Sequence, residues 1–460
     1  ADTRMPRDAA VRLVGKIAHP LNRPVLDTAL GRVTQGHGIL QPRVTPALAS
    51  GHKATLFQQA TSGPGGMDPY AAATSDIYQD LFGEGSFTGK GIYDVDAFAA
   101  AMEGRVPDNT LLSHDLLEGI FARAGLVSDV ELVEAFPDRH DVASRRQHRW
   151  TRGDWQLLPW LVAPGIPLLG RLKMVDNLRR ALVAPLTLAV LALGWVLPGP
   201  AALLATLLVL AAVALPVLVP MLMGVIPRRT GLHVESHLRQ SLADLRLALL
   251  QTGLGLTFLA DSAWRMGDAI LRTFWRLGVS RRNLLEWTTA AQAAGGPRPG
   301  LAGVARGMAG GVGLGLTVSV AAGLAAPAAL PLILPFAALW LLAPAIAFWI
   351  STAHPATQDR PLPAEAARDL RRIARRTWRY FEVFVTEADG HLPPDNFQED
   401  PVGVTARRTS PTNMGLYLLS AVAARDFGWS GLLRTTERLE LTLAAMAALP
   451  KFKGHFYNWY

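Results

Sequence analysis

Apolar residues are unevenly distributed along the chain, and two pairs of long apolar runs dominate the pattern. The first pair covers residues 182–196 and 201–226, and the second covers residues 307–326 and 328–350. Neither pair contains a Lys or Arg. A run of about 20 apolar residues predicts a membrane-spanning helix, and the shorter first run requires extension by its flanks. The pattern therefore predicts two helical hairpins and four crossings.

The segment between the hairpins has a mixed pattern. Residues 245–260 are apolar but too short to predict a span. Basic and aromatic residues follow at helical spacing: Trp264, Arg265, Arg272, Phe274, Trp275, Arg276, Arg281, Arg282 and Trp287. This combination is typical of helices that lie in the membrane interface, with a nucleic-acid surface as the alternative.

Outside these runs the patterns are those of a soluble protein. Before residue 179, short apolar runs at residues 38–44 and 126–132 predict strands, and residues 145–155 predict a helix rich in Arg and Trp. The predicted fold class is thus α/β followed by an all-α membrane region. Three amphipathic helices are predicted at residues 364–385, 413–425 and 432–449. Aromatic and acidic loops join them, as at the start of an (α/α) barrel-type domain, although three helices cannot close a barrel.

Composition and charge support the membrane prediction. The chain has 460 residues, of which 50% are hydrophobic, no cysteine and a net charge of +8. A basic chain of this kind raises the possibility of nucleic-acid binding. The Lys and Arg residues, however, crowd the flanks of the apolar runs, and positive-inside topology explains that placement better. We therefore predict no nucleic-acid partner and cytosolic soluble domains. The lack of cysteine excludes disulfides and thiolate metal sites.

The first candidate for chemistry is Asp2, which precedes a polar turn and a helix start. In a sugar-nucleotide transferase, an Asp-x-Asp in this setting holds a divalent ion on the diphosphate, and carboxylate oxygens suit Mg²⁺ or Mn²⁺. Only one Asp of such a motif is present here. The alternative is that Asp2 is an ordinary helix N-cap.

A glycine-rich segment, residues 82–95, is the second candidate. Its four glycines permit positive φ and close backbone approach to a sugar or phosphate. Glu84 and Gly85 are the predicted substrate contacts. The segment is not a P-loop, because Lys90 is not followed by Ser or Thr. A structural turn is the alternative.

The third candidate is Ser113-His114-Asp115, which follows two leucines. If these leucines end a buried strand, Asp115 is placed to accept a proton from an attacking sugar hydroxyl. His114 is a predicted substrate contact. The alternative is that Asp115 is an N-cap for a helix over residues 116–124.

The Arg- and Trp-rich helix is the fourth candidate. Guanidinium groups of Arg146 and Arg149 suit a diphosphate, and the indole of Trp150 suits stacking on an acceptor sugar. The alternative is a helix that lies on the cytosolic membrane surface.

Several segments together resemble the cyclic β-1,2-glucan synthases, and in particular their membrane-embedded glycosyltransferase family 84 region. They are Asp2-Thr3-Arg4 with Pro6-Arg7-Asp8, residues 82–95 (FGEGSFTGKGIYDV), residues 112–119 (LSHDLLEG) and residues 149–155 (RWTRGDW). The tail from Trp378, with residues 394–400 and 408–417, resembles the start of the glucoamylase-like domain of those proteins.

The resemblance implies a GT-A (Rossmann-like) transferase that uses UDP-glucose and Mg²⁺ to extend a β-1,2-glucan with inversion. The expected location is the cytosolic face of a bacterial inner membrane. By position, Asp2 would be the remaining Asp of Asp-x-Asp, Asp115 the general base, and Arg149-Trp150 the end of a Gln-x-x-Arg-Trp motif. Arg146 replaces the Gln of that motif, so the acceptor contact made by the Gln is in doubt.

The implied domains are the C-terminal part of a GT-A domain, a hairpin, interfacial helices, a second hairpin and the start of a glucoamylase-like domain. Their predicted bounds are 1–178, 179–227, 228–303, 304–352 and 353–460. The chain is expected to be a fragment, inactive alone, that lacks the N- and C-terminal domains of its parent. Two alternatives stay open: a processive synthase of the cellulose or hyaluronan type, and a non-catalytic membrane module for glycan binding or transport.

Overall fold

The computed structural model describes residues 3–6, 8–47, 55–62, 76–225, 234–288, 292, 295–352 and 363–460. The chain divides into two compact units, Ala1–Ala356 and Thr357–Tyr460. Each unit is described by itself.

The first unit begins with a small α/β region, as predicted. Its strands are β1 (Thr3–Arg4), β2 (Val25–Asp27), β3 (Arg32–Gln35), β4 (Ile39–Pro46), β5 (Ile92–Tyr93) and β6 (Ala124–Glu134). Its helices are α1 (Ala9–Ile17), α2 (Leu56–Thr61), α3 (Ile77–Phe82), α4 (Val95–Met102), α5 (Asp115–Phe121) and α6 (His140–Gln156). Four strands form a mixed sheet of order β1-β6-β4-β5, in which β4 and β6 are parallel. The predicted strands at 38–44 and 126–132 are the two central strands of this sheet.

Apolar clusters cover both faces of the sheet. Consecutive strand residues point to opposite faces, and Ile39 and Leu40 of β4 accordingly enter different clusters. Ile39 packs with Leu117 and Phe121 of α5. Leu40 packs with Leu13 of α1. The sheet is therefore a central layer, and α5 is fixed against one of its faces.

One prediction about the soluble region is wrong. Asp115 does not end a buried strand, because residues 111–114 form no strand and Asp115 is the first residue of α5. The backbone N–H of Leu112 donates to the side chain of Gln156 at 2.7 Å. This backbone donor is therefore satisfied by a side chain of α6 and not by a neighbouring strand.

Six helices follow. They are α7 (Leu168–Val196), α8 (Ala201–Val225), α9 (Val234–Thr257), α10 (Leu259–Trp275), α11 (Leu301–Ala325) and α12 (Leu330–Ser351). Among the described residues, four helices are long and apolar enough to cross a membrane: α7, α8, α11 and the segment Pro327–Ser351. This agrees with the four predicted crossings. The uncertain stretch 245–260 lies where α9 meets α10, at a bend of 55° that allows a fifth, broken span.

Glycines of α11 allow close packing with the neighbouring helices. A Cβ atom on Gly311 would lie 2.4 Å from the Cα of Asp261 in α10. One on Gly315 would lie 2.8 Å from the ring of Trp340 in α12. Both distances are too short for any side chain, so α11 can approach α10 and α12 this closely only with glycine at these positions.

The second unit contains the three predicted helices. They are α13 (Ala364–Phe384), α14 (Pro411–Asp426) and α15 (Leu432–Ala448), with the hairpins β7 (Asn396–Gln398) to β8 (Val404–Ala406) and β9 (Lys451–Phe452) to β10 (His455–Phe456). Trp378 and Tyr417 are buried in its core with ring planes 2° apart. Trp378 is thus a core residue. That these helices begin an (α/α) barrel-type domain stays a prediction.

Candidate active site

The Asp115 carboxylate lies against the backbone of the glycine-rich segment. Gly89 has a φ of +85°, and a Cβ atom there would lie 2.7 Å from Oδ1 of Asp115. A side chain at Gly89 would therefore be strained and would also collide with the carboxylate. Gln41 of β4 fixes the same segment, because its Oε1 accepts from the Thr88 backbone N–H at 2.6 Å.

Two basic residues act on the Asp115 carboxyl. Burial raises the pKa of Asp115 above its ordinary value, while the charges of Lys90 and Arg149 lower it. Nζ of Lys90 pairs at 2.6 Å with Oε2 of Glu134, at the end of β6. The guanidinium carbon of Arg149 lies 4.6 Å from the ring centroid of Trp287. The structure thus brings Asp115 and Arg149, two predicted site residues, into one electrostatic environment.

His114 is held beside this carboxylate by Glu118. The Nδ1 atom of His114 lies 2.5 Å from Oε1 of Glu118, one helical turn away. This hydrogen bond raises the pKa of His114, and the charge of Asp115 acts in the same direction, whereas burial opposes both. A protonated His114 in turn lowers the pKa of Asp115.

Helix α6 is fixed to the segment before Asp115 by a close contact and a buried amide. A Cβ atom on Gly153 would lie 2.5 Å from Cβ of Ser113, so glycine permits the approach. The side chain of Gln156 accepts from Leu112 N–H and donates from Nε2 to the carbonyl of Leu284 at 3.0 Å. The same amide therefore contacts both the segment before Asp115 and the segment before Trp287.

A second carboxylate, that of Asp154 on α6, lies near the Asp115 carboxylate. Burial raises the pKa of Asp154 to about 6, and the charge of Asp115 adds to that rise. Asn177 of α7 donates from Nδ2 to Oδ1 of Asp154 at 3.0 Å, and the charge of Arg180 also favours the ionised form. The Asp154 side chain therefore links the candidate site to α7, the helix that contains the first predicted span.

Arg146 and Trp150, the other predicted site residues of α6, form a cation–π contact. The guanidinium carbon of Arg146 lies 4.7 Å from the ring centroid of Trp150 and 5.1 Å from that of Phe136. Such cation–π contacts orient both the indole and the guanidinium. Arg146 thus supports the Trp150 ring, the group that we predict to stack on an acceptor sugar.

Glu84 and Gly85, at the other end of the glycine-rich segment, have structural partners. The Glu84 carboxylate pairs with Arg32, and its Oε1 is 3.7 Å from Nε of Arg123. The backbone carbonyls of Glu84 and Gly85 accept from Nζ of the buried Lys173 at 3.1 and 2.7 Å. A sugar contact by either residue stays a prediction.

A divalent ion has one candidate set of ligands in the described part of the chain. Asp2, the predicted metal ligand, lies outside the described residues. Ligand atoms of His114, Asp115 and Glu118 lie within 4.8 Å of one another. The two carboxylates fit Mg²⁺ or Mn²⁺ in donor type, whereas the imidazole is a donor that suits ions such as Zn²⁺ better.

The arrangement is suited to proton abstraction beside an anion. It offers a carboxylate whose pKa is raised by burial, an imidazole that takes up positive charge readily, and the cations Lys90 and Arg149. Sequence reasoning missed Lys90, Glu118 and Asp154 as site residues, although all three lie inside the quoted motifs. It could not place Trp287 beside Arg149, because the two residues are far apart in the sequence.

The sequence comparisons agree with the resemblance. The chain is 48% identical over 464 aligned residues to cyclic β-(1,2)-glucan synthase NdvB from Rhizobium meliloti (strain 1021). The match covers 100% of this chain but only 16% of that protein. No protein-family model matches the chain. The predicted similarity to a cyclic β-1,2-glucan synthase is thus confirmed.

Proposed function

We propose that the chain forms the acceptor side of an inverting, membrane-bound glycosyltransferase of GT-A type. It adds glucose from UDP-glucose to a growing β-1,2-glucan, as part of a longer cyclic glucan synthase. The observation that carries the proposal is the approach of the Asp115 carboxylate to Gly89 of the glycine-rich segment, where the charges of Arg149 and Lys90 act on it, beside a helix that leads into the predicted membrane bundle. The 48% identity to a protein named as a glucan synthase supports the same conclusion.

Inversion requires one base and one stabilised leaving group. Asp115 removes the proton from the 2-hydroxyl of the terminal glucose as that oxygen attacks the anomeric carbon of the donor. The bond from the anomeric carbon to the diphosphate breaks in the same step, and UDP leaves. Arg149 and Lys90 provide positive charge where the diphosphate gains negative charge. Burial of Asp115 favours proton uptake, because it raises the pKa of the base.

A divalent ion, Mg²⁺ or Mn²⁺, would neutralise charge on the departing diphosphate when bound. We assign Asp2 as one of its ligands, in keeping with the motif. The indole of Trp150 stacks on the acceptor sugar, and the guanidinium group of Arg146 supports the Trp150 ring. His114, Glu84 and Gly85 are the proposed polar contacts to the sugars.

The proposed location is the bacterial inner membrane, with the soluble regions in the cytosol. Four helices of suitable length and hydropathy support a multi-pass membrane protein. The second unit is proposed as the first part of a glucoamylase-like domain. The UDP-binding half and the remaining domains of the parent synthase would be supplied by segments outside this chain.

The decisive experiment uses Asp115→Asn in the complete parent synthase. We expect the initial rate of UDP-glucose-dependent β-1,2-glucan synthesis by isolated membranes to fall by about 10²–10⁴-fold, because a general base contributes on that order. Asp108→Asn is the matched control, since Asp108 is an exposed aspartate on the loop that precedes the site. This control is expected to keep the rate and the membrane level of the parent.

Three results would refute the proposal. Wild-type polymer synthesis by the Asp115→Asn protein would exclude Asp115 as the base. A product with another linkage would indicate a synthase of the cellulose or hyaluronan type. Glucan binding without release of UDP by the wild-type protein would indicate a non-catalytic binding or transport module.

A further inference from the structure

Helix α13, the first helix of the second unit, carries a concentration of arginine. Its 21 residues include six arginines and three carboxylates. Arg368, Arg372, Arg375 and Arg379 follow one another at spacings of four, three and four, which aligns them along one side of the helix. We call these four residues the basic stripe.

The basic stripe faces away from the core of its unit. The core side of α13 is formed by Trp378, which is 3% exposed, and by Phe381, which packs against the buried cluster. Arg368, Arg372 and Arg379 are exposed, and the side chain of Arg372 is 73% exposed. The stripe is therefore accessible in the described structure, apart from Arg375, which is partly buried and pairs with Glu382 at 2.8 Å.

The carboxylates of α13 neutralise the stripe only in part. Glu382 is occupied by Arg375 and by the indole N–H of Trp378, which donates to it at 2.8 Å. Asp369 lies 3.9 Å from Arg372, and both side chains are well exposed, so solvent screens this pair. The helix thus presents a net positive surface without a matching acidic surface on the same element.

The position of the stripe in the chain argues for a lipid partner. Residues 307–359 contain no Lys or Arg, whereas six arginines occur between Arg368 and Arg379. Only residues 352–363 separate the end of α12, a candidate span, from the start of α13. A basic cluster that directly follows a span is typical of segments that bind anionic lipid headgroups.

We propose that the basic stripe docks the second unit onto the surface of a membrane that contains anionic phospholipid. The exposed guanidinium groups of Arg368, Arg372 and Arg379 bind headgroup phosphates. Arg375 and Glu382 pair with each other on α13, so Arg375 is not assigned a headgroup contact. This inference does not depend on the proposed transferase activity.

The test uses the complete 460-residue chain in nanodiscs. The chain has no cysteine, so a single Thr377→Cys substitution, at an exposed position of α13, gives one labelling site. A fluorophore at that site reports distance to a quencher on the lipid headgroups. We expect strong quenching in equal parts of phosphatidylcholine and phosphatidylglycerol, weak quenching in phosphatidylcholine alone, and loss of the difference at about 1 M salt because charges are then screened.

Charge variants separate a lipid-binding role from a structural one. Replacing Arg368, Arg372 and Arg379 by Gln should weaken docking by about two orders of magnitude, since each arginine near an anionic surface contributes about a fivefold factor. The same three positions changed to Lys should retain docking. The matched control changes Arg407, Arg425 and Arg434, which are exposed arginines elsewhere in the unit, to Gln. This control should quench like the wild-type chain.

Equal quenching in both lipid mixtures would overturn the proposal, as would wild-type docking by the triple Gln variant of the stripe. Equal loss in the control variant would show a dependence on net charge and not on the stripe. Displacement by millimolar inorganic phosphate would indicate a site for a free anion, and the lipid assignment would then be wrong.

Discussion

The two ends of the glycine-rich segment differ in how the charges beside them are compensated. At Glu84 the carboxylate pairs with Arg32, and Lys173 donates to two backbone carbonyls. At the other end, Gly89 allows the Asp115 carboxylate to approach the backbone. There the charges of Lys90 and Arg149 only partly offset the effect of burial on the pKa of Asp115. This pKa therefore stays raised.

The ion pairs at the Glu84 end stabilise the fold, whereas the Asp115 carboxylate remains available for reaction. The Glu84 carboxylate has the guanidinium groups of Arg32 and Arg123 as partners inside the fold. A carboxylate that is buried and incompletely compensated retains a tendency to take up a proton. The contrast predicts that substitutions at the Glu84 end change stability and that substitutions at the Asp115 end change catalysis.

After Asp115→Asn, the largest effect expected in the parent synthase is that of Gly89→Ala. The new methyl group would collide with the Asp115 carboxylate and displace the base, so the rate of glucan synthesis should fall by about 10²-fold. Gly104→Ala is the matched control, because Gly104 also has a positive φ but has no atom within 4 Å of an added Cβ. If both variants lose activity equally, the loss is caused by the strain of a side chain at positive φ and not by a collision with Asp115. The position assigned to the Asp115 carboxylate would then not explain the loss.

Lys173→Met tests the Glu84 end. The substitution leaves the Glu84 and Gly85 carbonyls without their buried donor, and we expect the free energy of unfolding to fall by about 2–4 kcal/mol. Thermal unfolding in detergent measures this loss. Lys16→Met, at an exposed ion pair with Asp129, should change stability by only about 0.5 kcal/mol. A Lys173 variant with wild-type stability would contradict the structural role of this end.

Asp154→Asn should give a smaller and pH-dependent effect. The pKa of Asp154 is about 6 in the folded chain and about 4 in an unfolded one, so its ionisation destabilises the fold as the pH rises between these values. The Asn variant lacks this loss, and we expect it to be more stable than the wild type by about 1–3 kcal/mol above pH 6, with no difference below about pH 4.

The matched control for Asp154 has the opposite sign. The hydrogen bond from Lys16 lowers the pKa of Asp129, so Asp129→Asn should reduce stability at neutral pH. Unfolding midpoints of both variants at acidic and neutral pH provide the comparison. Equal shifts of the two variants would show that Asp154 does not experience the environment described here.

The parts of the fold that the sequence predicted are those with local signals. Spans are set by the length of apolar runs, and the helices of the second unit by their spacing, so both could be located. Helix α7 begins at Leu168, 14 residues or about four turns before the apolar run from residue 182 by which it was predicted. Charged residues such as Lys173 and Arg179 obscure its first half, which lies against the soluble region and not in lipid.

The site was predictable in its residue types but not in its geometry. The two leucines before Asp115 are compatible with a strand or with a turn, and the choice is decided by Gln156, which is distant in the sequence. The pairing of Glu84 with Arg32, and the contact of Arg149 with Trp287, likewise depend on tertiary structure. A single sequence contains no local signal for such contacts.

The amide of Gln156 has an evolutionary consequence. It fixes the loop before Asp115 through one atom and the loop before Trp287 through another. An insertion or deletion in either loop would shift its backbone partner away from this side chain. Homologous synthases should therefore keep the lengths of both loops constant together, or change them only when position 156 also changes.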